Sequence, residues 1–444
     1  MSTDNNFIDS VISTVGASMI IMVCGLITGS LIAHLLGPEG RGELAAIQLY
    51  GTLLGTMVAV GLPAAVTYFT GRNIADAGSY YITGSLVASV IAVPGAFVGY
   101  MAIPYLLSGQ APAIISAAQL YLLFIPLSII TGFSLASLQG QMKMFLWNLF
   151  RIIAAVFWLV PLCYLFFLSD VTAVLVGNVY LIFLFIYSCI FIVIMVRNNP
   201  KSFKMRREFI KPMWKYALPT HLATFTQQSN LKLDQILIAA FLLPENLGLY
   251  VVAVAWSAAH SPLTNAVSYV IVPHLTKLKN DELRAVALAK ITRTSLVLNL
   301  IFVTAVIALT PFAIRFIFGA EFLEAVSICY ILIIGSIFSN MKLVFAEGLR
   351  GLGYPVIVMK GELAGLVISG VLFPLLLKVY GLEGVATASM LGYLATFLFF
   401  FFSVRKVVGI SVSDSLKPQA QDLVYIYNQL INLFRRKNYS AFRK

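Results

Sequence analysis

Polar, glycine and proline positions cut the chain into twelve long apolar runs, at about residues 10–36, 44–71, 80–107, 113–138, 145–168, 171–196, 214–243, 247–275, 286–318, 322–348, 355–380 and 384–404. Each is as long as the roughly 20 residues a helix needs to cross a hydrocarbon core. None keeps a sustained period-two alternation, and all exceed the length of a barrel strand. The pattern predicts an all-α polytopic membrane protein of about twelve transmembrane helices.

Composition agrees. Of 444 residues, 60% are hydrophobic and 11% charged, against about 25% charged in soluble domains. A chain this apolar cannot cover its own surface in water. The net charge of +12 would suggest nucleic acid in a soluble protein. Here the cations sit in short loops, and no basic groove can form from them. Loops after even-numbered runs hold 14 Lys and Arg, seven of them between Arg197 and Lys215. Loops after odd-numbered runs hold only Arg41, Arg315 and Lys378. Cationic loops stay in the cytoplasm, which predicts both termini inside. The first ten residues lack the basic start of a signal peptide. The outside loops, such as 108–112, 169–170 and 244–246, are too short for an external catalytic domain.

The basic loop divides the chain into an N-terminal six-helix bundle (1–197), a cytoplasmic linker (198–213), a C-terminal six-helix bundle (214–407) and a tail (408–444). Shifting the sequence by 206 residues lays Leu31, Ile32, Ala33, Leu36, Pro38, Glu39 and Gly42 on Leu237, Ile238, Ala239, Leu242, Pro244, Glu245 and Gly248. Both copies end the first span of their half. A fainter echo pairs Leu138-Gln139-Gly140 with Leu349-Arg350-Gly351. Six spans per half give a parallel repeat, so the two bundles are expected to be related by a pseudo-two-fold along the membrane normal. Such bundles leave a seam that rocking can open to either side in turn. Gly25/Gly29, Gly51/Gly55, Gly95/Gly99 and Gly361/Gly365 are GxxxG pairs that mark close helix packing.

A charge near the bilayer centre costs at least about 2.5–3.5 kcal/mol and faces a cavity or a partner. Lys232 and Asp234 lie deepest, in the most polar stretch of any span. Residues two apart do not share a helix face, whereas Gln227, Asn230 and Asp234 do. Arg151, Arg293, Lys342 and Lys360 sit one to two turns inside the cytoplasmic ends of their spans. Singly, each can snorkel to the headgroups; together they suit an anionic headgroup such as a pyrophosphate. Arg151, Lys232, Arg293, Lys342, Lys360, Gln227 and Asn230 are therefore the candidate substrate-binding residues. Asp234, His34 and Glu347 are candidates for proton coupling or a structural role. Glu347 and Glu362 stand near enough in sequence to pair with Lys342 or Lys360.

No Gly-x-x-x-x-Gly-Lys-Ser/Thr loop occurs, the four histidines lack metal spacing, and the four cysteines form no Cys-x-x-Cys pair. The expectation is a chain that is not an enzyme and needs no cofactor or metal. In the tail, Leu423, Ile426, Tyr427, Leu430, Leu433 and Phe434 recur at helical spacing before a basic end. This predicts an amphipathic helix on the anionic inner leaflet.

At Leu35-Leu36-Gly37-Pro38-Glu39-Gly40-Arg41-Gly42 the chain resembles the polysaccharide and O-antigen flippases of the multidrug/oligosaccharidyl-lipid/polysaccharide exporter superfamily. Asp234 followed by Leu247-Gly248-Leu249-Tyr250 is similar to that family's seventh-helix pattern, and Gly61-Leu62-Pro63 also fits. The resemblance runs from about residue 7 to 407. It implies translocation of an undecaprenyl-pyrophosphate-linked oligosaccharide, an O-antigen or exopolysaccharide repeat unit, from the cytoplasmic to the outer leaflet by alternating access. It implies the cell inner membrane as location. The partners it implies are the bilayer and the lipid-linked glycan, with a polysaccharide polymerase complex as a further candidate, and no nucleic acid. Where the family often carries Arg near the Asp, this chain has Lys232, a point charge and not a bidentate fork. Twelve spans also differ from the fourteen usual in lipid II flippases. A multidrug antiporter of the same superfamily is the alternative, but it would favour carboxylates over the cationic excess found here. A membrane polymerase or ligase would need a larger external loop.

Overall fold

A computed structural model describes residues 2–198, 202–259 and 280–408, together with positions 261, 264, 268, 271 and 275. The helices are α1 Ser2–Val58, α2 Leu62–Arg72, α3 Ala77–Leu106, α4 Pro112–Leu120, α5 Phe124–Gly140, α6 Met144–Leu165, α7 Ala173–Asn198, α8 Ile210–Phe241 and α9 Pro244–Ser257. Beyond the next segment follow α10 Asp281–Ala313, α11 Ala325–Gly351 and α12 Pro355–Val408. Among the described residues there is no strand. The protein is an all-α, multi-pass membrane protein. The amphipathic tail expected over 409–444 lies outside the described residues.

Two helices are each long enough for two crossings, and a glycine bends both. Gly37 (φ 63°, ψ −175°) interrupts α1 between the first two runs, and Gly381 (φ 56°, ψ −134°) interrupts α12 between the last two. A side chain disfavours such positive φ, so glycine sits where the chain must reverse. The second run also breaks at Val60 and Gly61, both at positive φ. Pro63 then falls in the first turn of α2, where its missing N–H has no helical partner to lose.

The chain forms two compact units. The first takes residues up to Trp256 with Pro311–Cys329; the second takes Ser257–Thr310 and the residues from Tyr330 onward. The helices α8 and α9 thus belong to the first unit, where α8 packs on α2, α3 and α1.

In the first unit the two copies of the repeated motif meet each other. A Cβ on Gly42 would stand 1.6 Å from the Pro244 carbonyl oxygen, and one on Gly248 would stand 1.9 Å from that of Pro38. The contact is reciprocal: proline of one copy against glycine of the other, each at the start of a helix. Backbones approach this closely only where no side chain intervenes. Other glycine pairs differ in use. Gly95 and Gly99 face Val58 and Leu54, whereas Gly25 has open space around it and Gly29 only Phe318.

The linker stretch 202–209 is strapped to the N-terminal end of α3. Gly78 N–H donates to Ser202 Oγ (3.2 Å), Ser79 Oγ–H to the Ser202 carbonyl (2.6 Å) and Arg206 N–H to Thr83 Oγ1 (3.0 Å). The first of these contacts occupies one of the backbone N–H groups that a helix start leaves unsatisfied. Arg206 adds an ion pair to Asp76 at 3.2 Å, and Phe209 stacks on Tyr80 with centroids 4.4 Å apart. Lys204 and Arg207 stay exposed.

In the second unit, Leu288, Val344, Phe345, Leu349, Val358 and Phe400 form a buried core with Phe401 and Val404. Beside it Lys342 Nζ donates to Glu362 Oε2 at 2.8 Å, with the two residues only 3% and 2% exposed. The ammonium also lies 5.3 Å from the Tyr393 ring centroid. Breaking a buried pair strands a charge and costs about 3–5 kcal/mol, while replacing both partners is often nearly neutral.

Two predictions follow from these contacts. Gly42→Ala and Gly248→Ala are each expected to destabilise the detergent-solubilised protein by at least about 1–3 kcal/mol, the usual range for overpacking, with Gly25→Ala nearly neutral in the same thermal-melt assay. Lys342→Met alone is expected to lose about 3–5 kcal/mol, and Lys342→Met with Glu362→Leu to recover most of it. Equal losses in the single and double variants would refute the second.

Candidate functional site

The helix α8 carries the polar stretch singled out in the sequence, and its periodicity sorts the charges. Lys232 and Asp234 differ by about 200° around the axis, so they leave the helix on opposite sides. Asp234 is 3% exposed. Its Oδ2 accepts from the Tyr250 hydroxyl of α9 at 2.7 Å, and its Oδ1 from the Gln235 N–H at 2.7 Å. A carboxylate held by two donors is satisfied within the protein. Gln227 and Asn230 lie on the Asp234 side of α8 by spacing; their side chains are outside the described set.

Lys232 points the other way. Its Nζ donates to Gln235 Oε1 at 3.0 Å. It lies within electrostatic reach of Asp234 and of a second cation, Arg41. Arg41 was assigned to a loop, because Gly37-Pro38 ends the first apolar run. The chain instead resumes helix directly after Gly37, and Arg41 sits on that helix. Its Nε is buried and has no hydrogen-bond partner among the described residues. Glu39 and Glu43, two positions to either side, fall on the opposite face of the helix. No ion pair of Arg41 occurs among the described residues. The signal that could have found it was present: Arg41 is the one outside cation not near a span end.

Arg41 and Lys232 are thus two cations of one compact unit within electrostatic reach of each other, with Asp234 the stronger influence on Lys232. A further anion near the two cations would be attracted to both. Arg offers a planar fork and Lys a point charge, the combination that suits a phosphate group.

The remaining candidates are dispersed. His34 is exposed, with Nδ1 2.9 Å from the Ser30 carbonyl of its own helix. Arg151 is half-buried and covers the Trp147 ring at 4.2 Å. Arg293 is half-buried on α10, and Lys360 is exposed on α12. Lys342 is held by Glu362, and Glu347 is bonded to Arg350. A larger groove of about 780 Å3 between α3 and α4–α5 is lined by Val93, Phe97, Leu120 and Leu123 among others, and contains no cation. Among the described residues no cluster of His, Cys, Asp and Glu could hold a metal ion.

Comparison with known proteins bears on both fold and family. An uncharacterized membrane protein of Methanocaldococcus jannaschii is 25% identical over 394 residues, covering 85% of this chain and 92% of its own. Among solved structures, the lipid II flippase MurJ in an inward closed conformation superposes with a TM-score of 0.74 at 16% identity, over 95% of this chain and 93% of that one. An inward-facing multidrug resistance MATE transporter of the MOP superfamily gives 0.71 at 14% identity, over 90% and 98%. These two likenesses establish a shared fold. The model of the polysaccharide biosynthesis protein family matches residues 31–327, two-thirds of the sequence, and so the chain belongs to that family.

Proposed function

We propose that the protein is a flippase that carries a lipid-pyrophosphate-linked oligosaccharide from the cytoplasmic to the outer leaflet by alternating access. The observation that carries this reading is Arg41: a guanidinium with a buried nitrogen unpartnered among the described residues, within electrostatic reach of Lys232, in a helix apolar enough to span the bilayer. Membership of a polysaccharide biosynthesis family supports the glycan part. Undecaprenyl is the lipid this reading names, and an O-antigen or exopolysaccharide repeat unit is the cargo. The cell inner membrane is the location, with both termini cytoplasmic, and the bias of loop cations supports that orientation. A polysaccharide polymerase complex is the natural receiver of the product.

In this mechanism the chain makes and breaks no covalent bond. Arg41 and Lys232 take the pyrophosphate, replacing water as its hydrogen-bond donors. Asp234, already bonded to Tyr250, keeps α8 and α9 in register and offsets part of the positive charge. The Pro38–Gly248 and Gly42–Pro244 contacts lie beside Arg41 in sequence, so separating them opens the path next to the bound headgroup.

Hydrogen bonds to charged groups contribute about 1.5–3 kcal/mol each. Arg41→Gln is therefore expected to lower transport of the lipid-linked glycan in proteoliposomes by about tenfold to a hundredfold. Arg41→Lys should fall between wild type and Arg41→Gln, since it keeps the charge and loses the fork. Transport unaffected by Arg41→Gln would overturn the assignment of the headgroup site. In cells, deletion is expected to strand the lipid-linked repeat unit on the cytoplasmic side. Intact surface glycan with altered sensitivity to cationic drugs would instead place the chain among the multidrug antiporters.

A further inference from the structure

Where the end of α2 and the starts of α3 and α8 come together, aromatic and basic side chains form a collar that the headgroup site does not use. The Arg72 guanidinium covers the Tyr68 ring at 4.9 Å, and Tyr68 stacks on Tyr216 of α8 with centroids 4.4 Å apart. Phe69 packs beside both Tyr216 and Tyr80, at 6.2 and 5.7 Å. Tyr80 in turn stacks on Phe209, which Arg206 covers at 5.3 Å, and Tyr81 meets Phe203 at 5.9 Å. The strap 202–209 is thus held by rings as well as by hydrogen bonds.

Five cations project from this collar. Arg72, Lys204, Arg207, Lys211 and Lys215 are all exposed, and none of them forms an ion pair among the described residues. The collar's two acids, Asp76 and Glu208, both lie against Arg206, at 3.2 and 3.9 Å. Lys211 and Lys215 stand one turn apart on α8, with half-buried Trp214 between them, and like charges at that spacing repel. Apolar side chains are bare on the same elements: Ile74 is 57% exposed, Met205 48% and Leu218 44%. In water the bare apolar groups and the repulsion both cost free energy. At an anionic membrane surface both are relieved. Tyr and Trp rings lie at headgroup level, apolar groups dip into the acyl boundary, and the lipid charge attracts each Lys or Arg near the surface.

We propose that this collar is a fixed binding site for anionic phospholipid headgroups of the inner leaflet, with Arg72, Lys204, Arg207, Lys211 and Lys215 as its cations. The inference rests on the cytoplasmic orientation of these loops and is independent of what the chain carries. The strap sets the arrangement. Phe203 and Phe209 pack against Tyr81 and Tyr80, while Lys204 and Arg207 between and beside them stay outside. A loose loop of the same composition attracts anionic lipid diffusely; a held one presents its cations as a set.

The test is competitive lipid binding to the purified full chain in mixed micelles, read by mass spectrometry of the intact protein. The probes are dioleoyl-phosphatidylglycerol and dioleoyl-phosphatidylcholine, equal in chains and different in charge. Wild type is expected to prefer phosphatidylglycerol for the first lipid bound by about tenfold or more. Arg207→Gln combined with Lys211→Gln and Lys215→Gln is expected to remove most of that preference. Phe209→Ala keeps every cation and is expected to lower it by about threefold, through loss of the ring stack that holds the strap. Arg405→Gln with Lys406→Gln removes two exposed cations from the end of α12 and is expected to leave the preference within about twofold. No preference in the wild type overturns the site. So does an equal loss per cation in the α8 and α12 variants, which is diffuse attraction alone. A Phe209→Ala protein that melts like wild type and keeps the full preference overturns the fixed geometry. Micelles have no sidedness, so a preference confirmed here stands even where accessibility labelling places these loops outside; that labelling result overturns only the leaflet.

Discussion

A polar group inside an apolar medium must find a partner within the protein, because neither lipid nor a packed helix face supplies one. That constraint orders the molecule. It makes every described regular element a helix, since a helix satisfies its own backbone. It ties Asp234 to Tyr250 and Lys342 to Glu362, and it fastens the linker at Ser202 and Arg206 to the start of α3. It also gives meaning to the groups left over. Arg41 Nε is one such group, buried without a hydrogen-bond partner among the described residues, as are the Tyr50 and Thr70 hydroxyls.

How much of this could be read beforehand depended on the range of the interaction. Run lengths and punctuation are local, and they placed the helices well. Gly37 and Gly381 both fall where the apolar runs were divided. Periodicity separated Lys232 from Asp234, because residues two positions apart on a helix point to different sides. It does not state which face meets which neighbour, and so it could not tell that the His221–Gln228 face lines a cavity with α1. Arg41 was lost to a different cause. A glycine-proline pair signals the end of a helix, and here a single left-handed residue lets a new helix begin at once. The partner of Lys342 lies twenty residues away on another helix. Glu362 was one of two carboxylates near enough in sequence, and only packing chooses between them.

The internal repeat has a physical role in the structure beyond ancestry. Its two copies touch at their prolines and glycines, so each motif is the surface against which the other is shaped. A pseudo-symmetric contact of this kind is self-complementary in the way a two-fold interface is. It needs glycine at both positions, because the opposing atom is a backbone oxygen that no rotamer change can move aside. Arg41 lies directly next to this crossing in the sequence, and Lys232 stands twelve residues before Pro244.

The assignment of α8 and α9 to the first unit has a consequence for how the chain is made. Synthesis is vectorial, and membrane helices are released in the order in which they are encoded. Once residue 256 has emerged, the Gly42–Gly248 crossing, the Asp234–Tyr250 bond and the strap at 202–209 can all form. None of them waits for α10, α11 or α12. Only 311–329 must be added to the first unit later. The nascent protein can thus assemble the surroundings of Arg41 and Lys232 while almost half of its length is still untranslated, which shields two costly cations from lipid early in biogenesis.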